Sequence, residues 1–294
     1  MKIKDSLEVR TFQIINNFIM LLVILITLYP MLYIAFASFS KPNLLMAHQG
    51  LLYRSLGFNL SSYKAVFNNP VIASGYRNTI FVLVMGLIFN ILLTSMGAYF
   101  LSRKNIMLKK VVMFMIVFTM FFNGGMIPNY FLINSLKLDN SLWALIIPSA
   151  INTFNLIIMR TAFQGIPDSL EESAKLDGAG HFTILFRIIL PLSLPTLAVI
   201  VLYYGVGHWN AWFNAMLYLR RREMFPLQLI LREILIINDT SAMMAGGSFA
   251  GDQDLVSETI KYAVIMVATV PILVLYPFLQ KYFVKGALIG SVKE

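Results

Sequence analysis

The sequence predicts an all-α protein with six transmembrane helices, and three observations lead there. Of its 294 residues, 58% are hydrophobic and only 13% charged, where a soluble domain carries about 25% charged residues. The mean hydropathy is +0.74. The apolar residues gather into runs close to the ~20 residues that a helix needs to cross a bilayer. Polar segments rich in Asn, Ser, Gly and Pro divide them. The chain has no cysteine, so disulfides, thiol chemistry and thiolate metal sites are excluded. The net charge of +9 raises the question of nucleic acid. Basic residues of membrane proteins collect in cytoplasmic loops anyway, and no nucleic-acid partner is expected.

In order, the first span runs from about Phe12 to Phe39. Its apolar run is too long for a cleaved signal peptide and lacks a small-residue cleavage site, so it is expected to be retained. A polar segment, 40–77, leads to the second span, about Asn78 to Leu101. A short basic loop with Arg103, Lys104, Lys109 and Lys110 precedes the third, about Val111 to Phe122. Asn129 to Asn140 is expected to lie at the interface, and the fourth span is Leu142 to about Ala162. The loop 163–191 follows, then a fifth span from about Leu192 to Leu217. A second polar segment, 219–257, precedes the sixth span, Thr259 to Gln280, and a tail, 281–294. Within that segment Phe225 to Ile237 is nearly all apolar, as expected of a helix lying at the interface or plugging the outer mouth. Asn238 to Asp254, rich in Gly, Ser, Ala and Met, reads as a mobile loop.

Basic residues set the orientation. With six spans, both termini share a side with the 102–110 loop and the 163–191 loop. That side holds thirteen of the 23 Lys and Arg residues in the shorter total length. It is therefore expected to be cytoplasmic. Arg220, Arg221 and Arg222 stand against the rule, on the outer side, and read as a site for an anionic partner.

The most informative stretch is Pro167 to Pro195, which holds four of the fourteen acids: Asp168, Glu171, Glu172 and Asp177. Ser169 followed by Glu172 has the spacing of a capping box, and Asp168 and Glu171 suit a helix N-terminus. Leu170, Ala174 and Leu176 can form a small apolar surface. Gly178 and Gly180 then interrupt, and a second short helix, Phe182 to Ile189, leads to Pro191 and Pro195. Helix, glycine bend and helix between two spans form a knob suited to a partner protein. The residues Glu172-Ser173-Ala174, Gly178 six residues after Glu172, and Ile188-Ile189-Leu190-Pro191 resemble the EAA loop of ABC importer permeases. Ser173 stands where the family more often has alanine, a small-for-small change. Leu176-Asp177-Gly178-Ala179 and Leu190-Pro191-Leu192 are similar to the carbohydrate, maltose-type branch, alginate-type importers included. The motif spans about a tenth of the chain.

That resemblance implies a single permease domain over 1–294 with the type I importer fold. Glu171, Glu172, Ser173, Ala174, Asp177, Gly178, Ala179, Leu190 and Pro191 would couple it to ATPase subunits. It implies a second homologous permease, two ATPase subunits holding ATP and magnesium, an extracytoplasmic binding protein and a bacterial inner membrane. The outer segments, with Arg220 to Arg222, would meet the binding protein. The tail KYFVKGALIGSVKE resembles that of maltose-type permeases, which reaches toward the ATPases.

The absences agree. From Val9 to Leu138 there is no Asp or Glu, and buried acids are what mark proton and ion pathways in membranes. No phosphate-binding G-x-x-x-x-G-K-[S/T] run occurs, so the chain needs no cofactor of its own and its energy must come from a partner. The histidines His48, His181 and His208 are far apart, and no catalytic triad, carboxylate pair or metal motif appears. The fifth span holds Tyr204, His208, Trp209, Asn210 and Asn214. Asn210 and Asn214 are four apart and would share a helix face. These residues, with Asn152 and Asn155, are expected to line a sugar pathway, the tryptophans serving equally well as an interfacial belt. The expected cargo is an oligosaccharide, and the outer arginines agree with an acidic one such as an alginate fragment. A permease for another solute class, an ion-coupled transporter and a non-transporting scaffold remain as alternatives. Proton dependence of uptake and co-purification of an ATPase separate them.

Overall fold

A computed structural model describes residues 7–104, 106–236 and 259–277. Among these residues there is no β-strand, only one isolated bridge between Ser40 and Phe58. Three helices are long and apolar enough to span a membrane: Leu7–Ser38 (α1), Pro70–Ser102 (α4) and Thr259–Pro277 (α14). Two bent pairs raise the count to five if each is one span. Among the described residues the six expected spans are therefore not confirmed.

Two compact units are distinguished. The first takes the chain up to Asn69 together with Ile234–Val270. Its short helices are Pro42–Ala47 (α2) and Ser61–Asn68 (α3). Ala37, Leu45 and Leu52 form its small core, with Tyr33, Phe36, Leu56 and Tyr262 packed on it. Ser40 ties the turn after α1, donating to the Phe36 carbonyl and accepting from the Leu56 amide. The middle of α1, by contrast, leaves Phe12, Phe18 and Leu25 exposed, as suits a surface whose solvent is lipid.

The second unit is Pro70–Glu233 with Pro271 onward. It contains α4, Lys109–Phe121 (α5), Met126–Ser135 (α6), Trp143–Ile146 (α7), Thr153–Gln164 (α8) and Asp168–Leu176 (α9). His181–Leu192 (α10), Leu194–Trp209 (α11) and Phe213–Tyr218 (α12) follow, and Leu227–Ile236 (α13) belongs to this unit as far as Glu233. α4 is its axis, packed against α8 and α11. The helix begins at Pro70, eight residues before the expected span, because proline suits a first helical turn where no amide hydrogen is needed. Around its C-terminal half, Ala98, Leu101, Met159, Phe163, Ile184, Leu185 and Ile189 close a core.

Two expected spans are not single helices. The third, Val111 to Phe122, is the one helix α5, set at 113° to α6; α10 meets α11 at 89° across Ser193, and the fifth span is divided between α11 and α12. The fourth is in pieces. α7 and α8 are separated by residues 147–152, where Pro148 lacks an amide hydrogen and Asn152 caps α8 by accepting from the Asn155 amide. The twelve residues of α8 reach only ~18 Å of a ~30 Å hydrocarbon layer. The 281–294 tail and the 238–254 loop lie outside the described residues, as does most of the 219–257 segment; Phe225 to Ile237 becomes α13 as far as Ile236.

Candidate functional site

The knob builds as the glycine spacing requires, but not as the acid spacing does. α9 starts at Asp168 behind Pro167 without a side-chain cap, so the Ser169–Glu172 capping box does not form. Its end is tightly closed. Gly178 sits at φ +80°, its amide bonds the Lys175 carbonyl at 3.0 Å, and the Ala179 amide reaches the Ala174 carbonyl at 2.9 Å. Those are the two bonds of a Schellman turn. Nothing lies within 4 Å of where a Cβ on Gly178 would stand. The demand for glycine is therefore backbone strain, not the steric obstruction of a neighbour. Ile189 and Leu185 are buried at the π-helical end of α10, with Leu190 half-buried beside them and Pro191 exposed.

The two adjacent glutamates separate. Glu172, Ser173 and Asp177 are exposed, whereas Glu171 and Ala174 are buried. Leu176, expected on the apolar surface, is 90% exposed, and Leu170 is exposed as well. Glu171 is clasped to the end of α4. Arg103 ion-pairs with its Oε2, Lys175 with its Oε1 at 2.9 Å, and Tyr99 donates to Oε1 at 3.3 Å. Arg103 also donates to the Phe163 carbonyl at 3.3 Å and lies 4.9 Å over the Tyr99 ring. His181 Nδ1 is 3.2 Å from the Tyr99 hydroxyl. Burial pushes the Glu171 carboxyl up, but Lys175 and Arg103 outweigh it and hold the group below its ordinary range. These side chains border a cavity of ≈ 550 Å³ that also meets Glu172. On the same cavity's wall, Lys104 pairs with the exposed Asp168, whose carboxyl is lowered by that lysine's hydrogen bond and charge.

Sequence reasoning missed Arg103 and Tyr99 as partners of Glu171, and His181 as a partner of Tyr99. Arg103 entered only as a loop charge. A buried acid next to an exposed one leaves no local signal, since its partner is 68 residues away.

The expected pathway residues fall into two groups. Tyr204 and His208 are buried and bonded within the protein. The Tyr204 hydroxyl meets Thr94 at 2.8 Å and accepts from the Asn152 amide at 2.8 Å. His208 Nε2 is 2.7 Å from Asn90 Oδ1, and Asn90 Nδ2 donates to the Ser149 and Ala150 carbonyls at 2.7 and 3.0 Å. Together they form a polar seam that satisfies the broken backbone between α7 and α8. Trp209 is buried edge-on to Tyr76, ring centres 6.3 Å apart, and Asn155 is buried too. Asn152, Asn210 and Asn214 are exposed. Asn210 and Asn214 do not share a face of one helix. α11 ends at Trp209 and α12 begins at Phe213, with the Asn210 side chain turned back to the Val206 carbonyl at 3.1 Å. Asparagine amides compete with the backbone in this way, which makes them poor helix interiors.

The arginine triplet is only partly free for an anion. Asn140 Oδ1 accepts from the backbone amides of Arg220 and Arg221, and Arg222 ion-pairs with Glu233 at 3.4 Å. All three side chains are exposed. No cluster of metal-ligating side chains occurs among the described residues.

Comparison with known proteins places this geometry. The family model "Binding-protein-dependent transport system inner membrane component" matches residues 95–289. The polygalacturonan/rhamnogalacturonan transport system permease protein YtcP of Bacillus subtilis (strain 168) is 44% identical, over 97% of this chain and 99% of its own. Protein LplC of the same organism is 41% identical, over 97% of this chain and 95% of its own. Among solved structures, a chain from a bacterial ABC transporter involved in import of the acidic polysaccharide alginate superposes with a TM-score of 0.87. It is 33% identical and covers 96% of this chain and 100% of its own.

Proposed function

Because the chain belongs to the binding-protein-dependent transport system inner membrane component family, we propose that it is the permease subunit of an ATP-driven importer of acidic oligosaccharides. The observation that carries this reading is the divided face of α9. Its inner side is clasped to α4 through Glu171, while Glu172, Ser173 and Asp177 stand outward beside the Gly178–Ala179 turn. A helix fastened at one face and bare at the other is suited to pass a push from a partner into the spans. The partner is an ATPase subunit, one of two, each holding its own ATP and magnesium. A second homologous permease completes the membrane part, and an extracytoplasmic binding protein delivers the cargo. The knob and both termini then lie on the cytoplasmic side of a bacterial inner membrane, with Arg220 and Arg221 outside, facing the binding protein. Asn152, Asn210 and Asn214, exposed and polar, serve the cargo path, and the buried Tyr204, His208, Trp209 and Asn155 support it from behind. The acidity of the cargo is supported by the relatives, which are named for polygalacturonan/rhamnogalacturonan and for alginate.

The test is reconstitution. The complete assembly in proteoliposomes, with its binding protein, should take up labelled trigalacturonate only when ATP is enclosed on the ATPase side. A protonophore should leave uptake unchanged. Uptake driven by a pH gradient without ATP would refute the reading.

A further inference from the structure

We propose that Trp212 and Arg232 form a subsite for the carboxylate of a sugar acid, an inference that rests on the acidic cargo proposed above. The break between α11 and α12 leaves Trp212 outside regular helix and 37% exposed. α13 brings the Arg232 guanidinium to 4.6 Å above the centre of that ring. Its further contact is with Met216 Sδ at 3.4 Å, a weak acceptor. The neighbouring Glu233 is turned to Arg222 instead, at 3.4 Å. No carboxylate among the described residues pairs with Arg232, although the side chain is half-buried.

That combination is chemically unfinished. A guanidinium keeps its charge at every working pH, and a charge partly withdrawn from water is costly unless an anion meets it. Stacking on Trp212 occupies one face of the guanidinium plane and leaves N–H donors along its edges. Two such parallel donors match the two oxygens of a carboxylate. The stack also holds the fork in place, so little freedom remains to be lost when the acid arrives. Phe213 stands edge-on to Trp212, ring centres 5.6 Å apart at 88°. Phe213 and Met216 are 44% and 41% exposed, an apolar border for the carbon face of a sugar ring.

Trigalacturonate and its methyl ester share the same sugar chain, the ester replacing each negative charge with a neutral methyl ester, and are the two probes. They are titrated into the purified complete transporter with tryptophan fluorescence as the readout, and uptake is followed in proteoliposomes. Arg232→Gln should weaken trigalacturonate binding by about tenfold, the scale of a lost charge-assisted hydrogen-bond pair. Its affinity for the methyl ester should stay near wild type, which also shows that the variant is folded. Arg232→Lys should bind the acid with intermediate affinity, and Trp212→Phe should remove the fluorescence change for both probes. If Arg232→Gln binds and imports the acid as wild type does, or loses both probes equally, the subsite is overturned while the cargo reading stands. If wild type imports a neutral oligosaccharide but no trigalacturonate, the cargo reading is overturned and the subsite with it.

Discussion

Helix α4 holds polar groups at two stations, in opposite ways. Near its end, at Tyr99 to Arg103, charge meets charge: Arg103 and Lys175 converge on the buried Glu171. In its middle, at Gly86, Asn90 and Thr94, the contacts are those of amide, imidazole and hydroxyl, with Asn90 and Thr94 fully buried. The difference follows the solvent. A charge survives burial when a counter-charge relieves it, and Arg103 and Lys175 supply it here. In a membrane interior charged groups are expensive, whereas neutral hydrogen bonds join helices at little cost. The charged station is thus a fastening that conditions can loosen, and the neutral station a fixed joint.

Glu171→Ala should break this contrast most severely. Removing one partner of a buried ion pair costs about 3 kcal/mol, and here it strands Arg103. The thermal midpoint of the purified complex should fall, and hydrogen exchange across 168–177 should quicken. An unchanged midpoint would mean that the clasp is idle. The exchanged pair, Arg103→Glu with Glu171→Arg, should recover part of the loss.

Asn90→Ala comes next, at about 2 kcal/mol, because it strips His208 Nε2 and the Ser149 and Ala150 carbonyls of their partner. Its signature should be faster exchange around 147–152, with the knob unaffected. Gly178→Leu should cost about 1 kcal/mol of backbone strain, since its Cβ meets nothing. Uptake should nonetheless fall sharply, the turn being part of the outward face. Gly178→Asn, which tolerates positive φ better, should retain more uptake than the smaller Gly178→Ala; the reverse order would restore steric exclusion as the cause.

Acidity sharpens the comparison more gently. Glu171 has a lowered carboxyl in the folded protein, so the clasp contributes fully above the ordinary value of 4.5. That contribution is lost as pH falls through its lower folded value. Hydrogen exchange of α9 should therefore rise on acidification below that point, and the Glu171→Ala variant should show no such rise. Smallest of all is Lys104→Ala. Its pair with Asp168 is exposed, and exposed pairs add little. Stability and uptake should match wild type.

Legibility in the sequence tracked the range of the interactions. The knob could be read because a turn at Gly178 and the exposed Glu172 are local matters. The long helices could be read from apolar length alone, although α4 begins earlier than hydropathy placed it. The breaks could not. Residues 147–152 are apolar enough to continue a span, and what keeps them open is Asn90 and Tyr204, more than fifty residues away on either side. Pro148 was the available warning, a proline inside an expected helix. Likewise Asn210 and Asn214 were assigned one face on the assumption of an unbroken helix. The neighbours Glu171 and Glu172 could not be told apart until Arg103 was seen to choose one of them.

The fit of His208 into α4 has a mechanical side. A side chain at Gly86 would stand 2.5 Å from its Nε2, so the imidazole is seated in a notch that only a missing Cβ provides. Residues four apart on a helix share a face, which makes Val82 and Asn90, both buried, the two shoulders of that notch. Axial slip of α11 along α4 by even one residue rise, about 1.5 Å, would drive the ring into one shoulder or the other. Shear between this pair is blocked, and rotation as a joined lever is left. In the importer proposed above, a push received at the Arg103 end of α4 would pass to α11 through this joint.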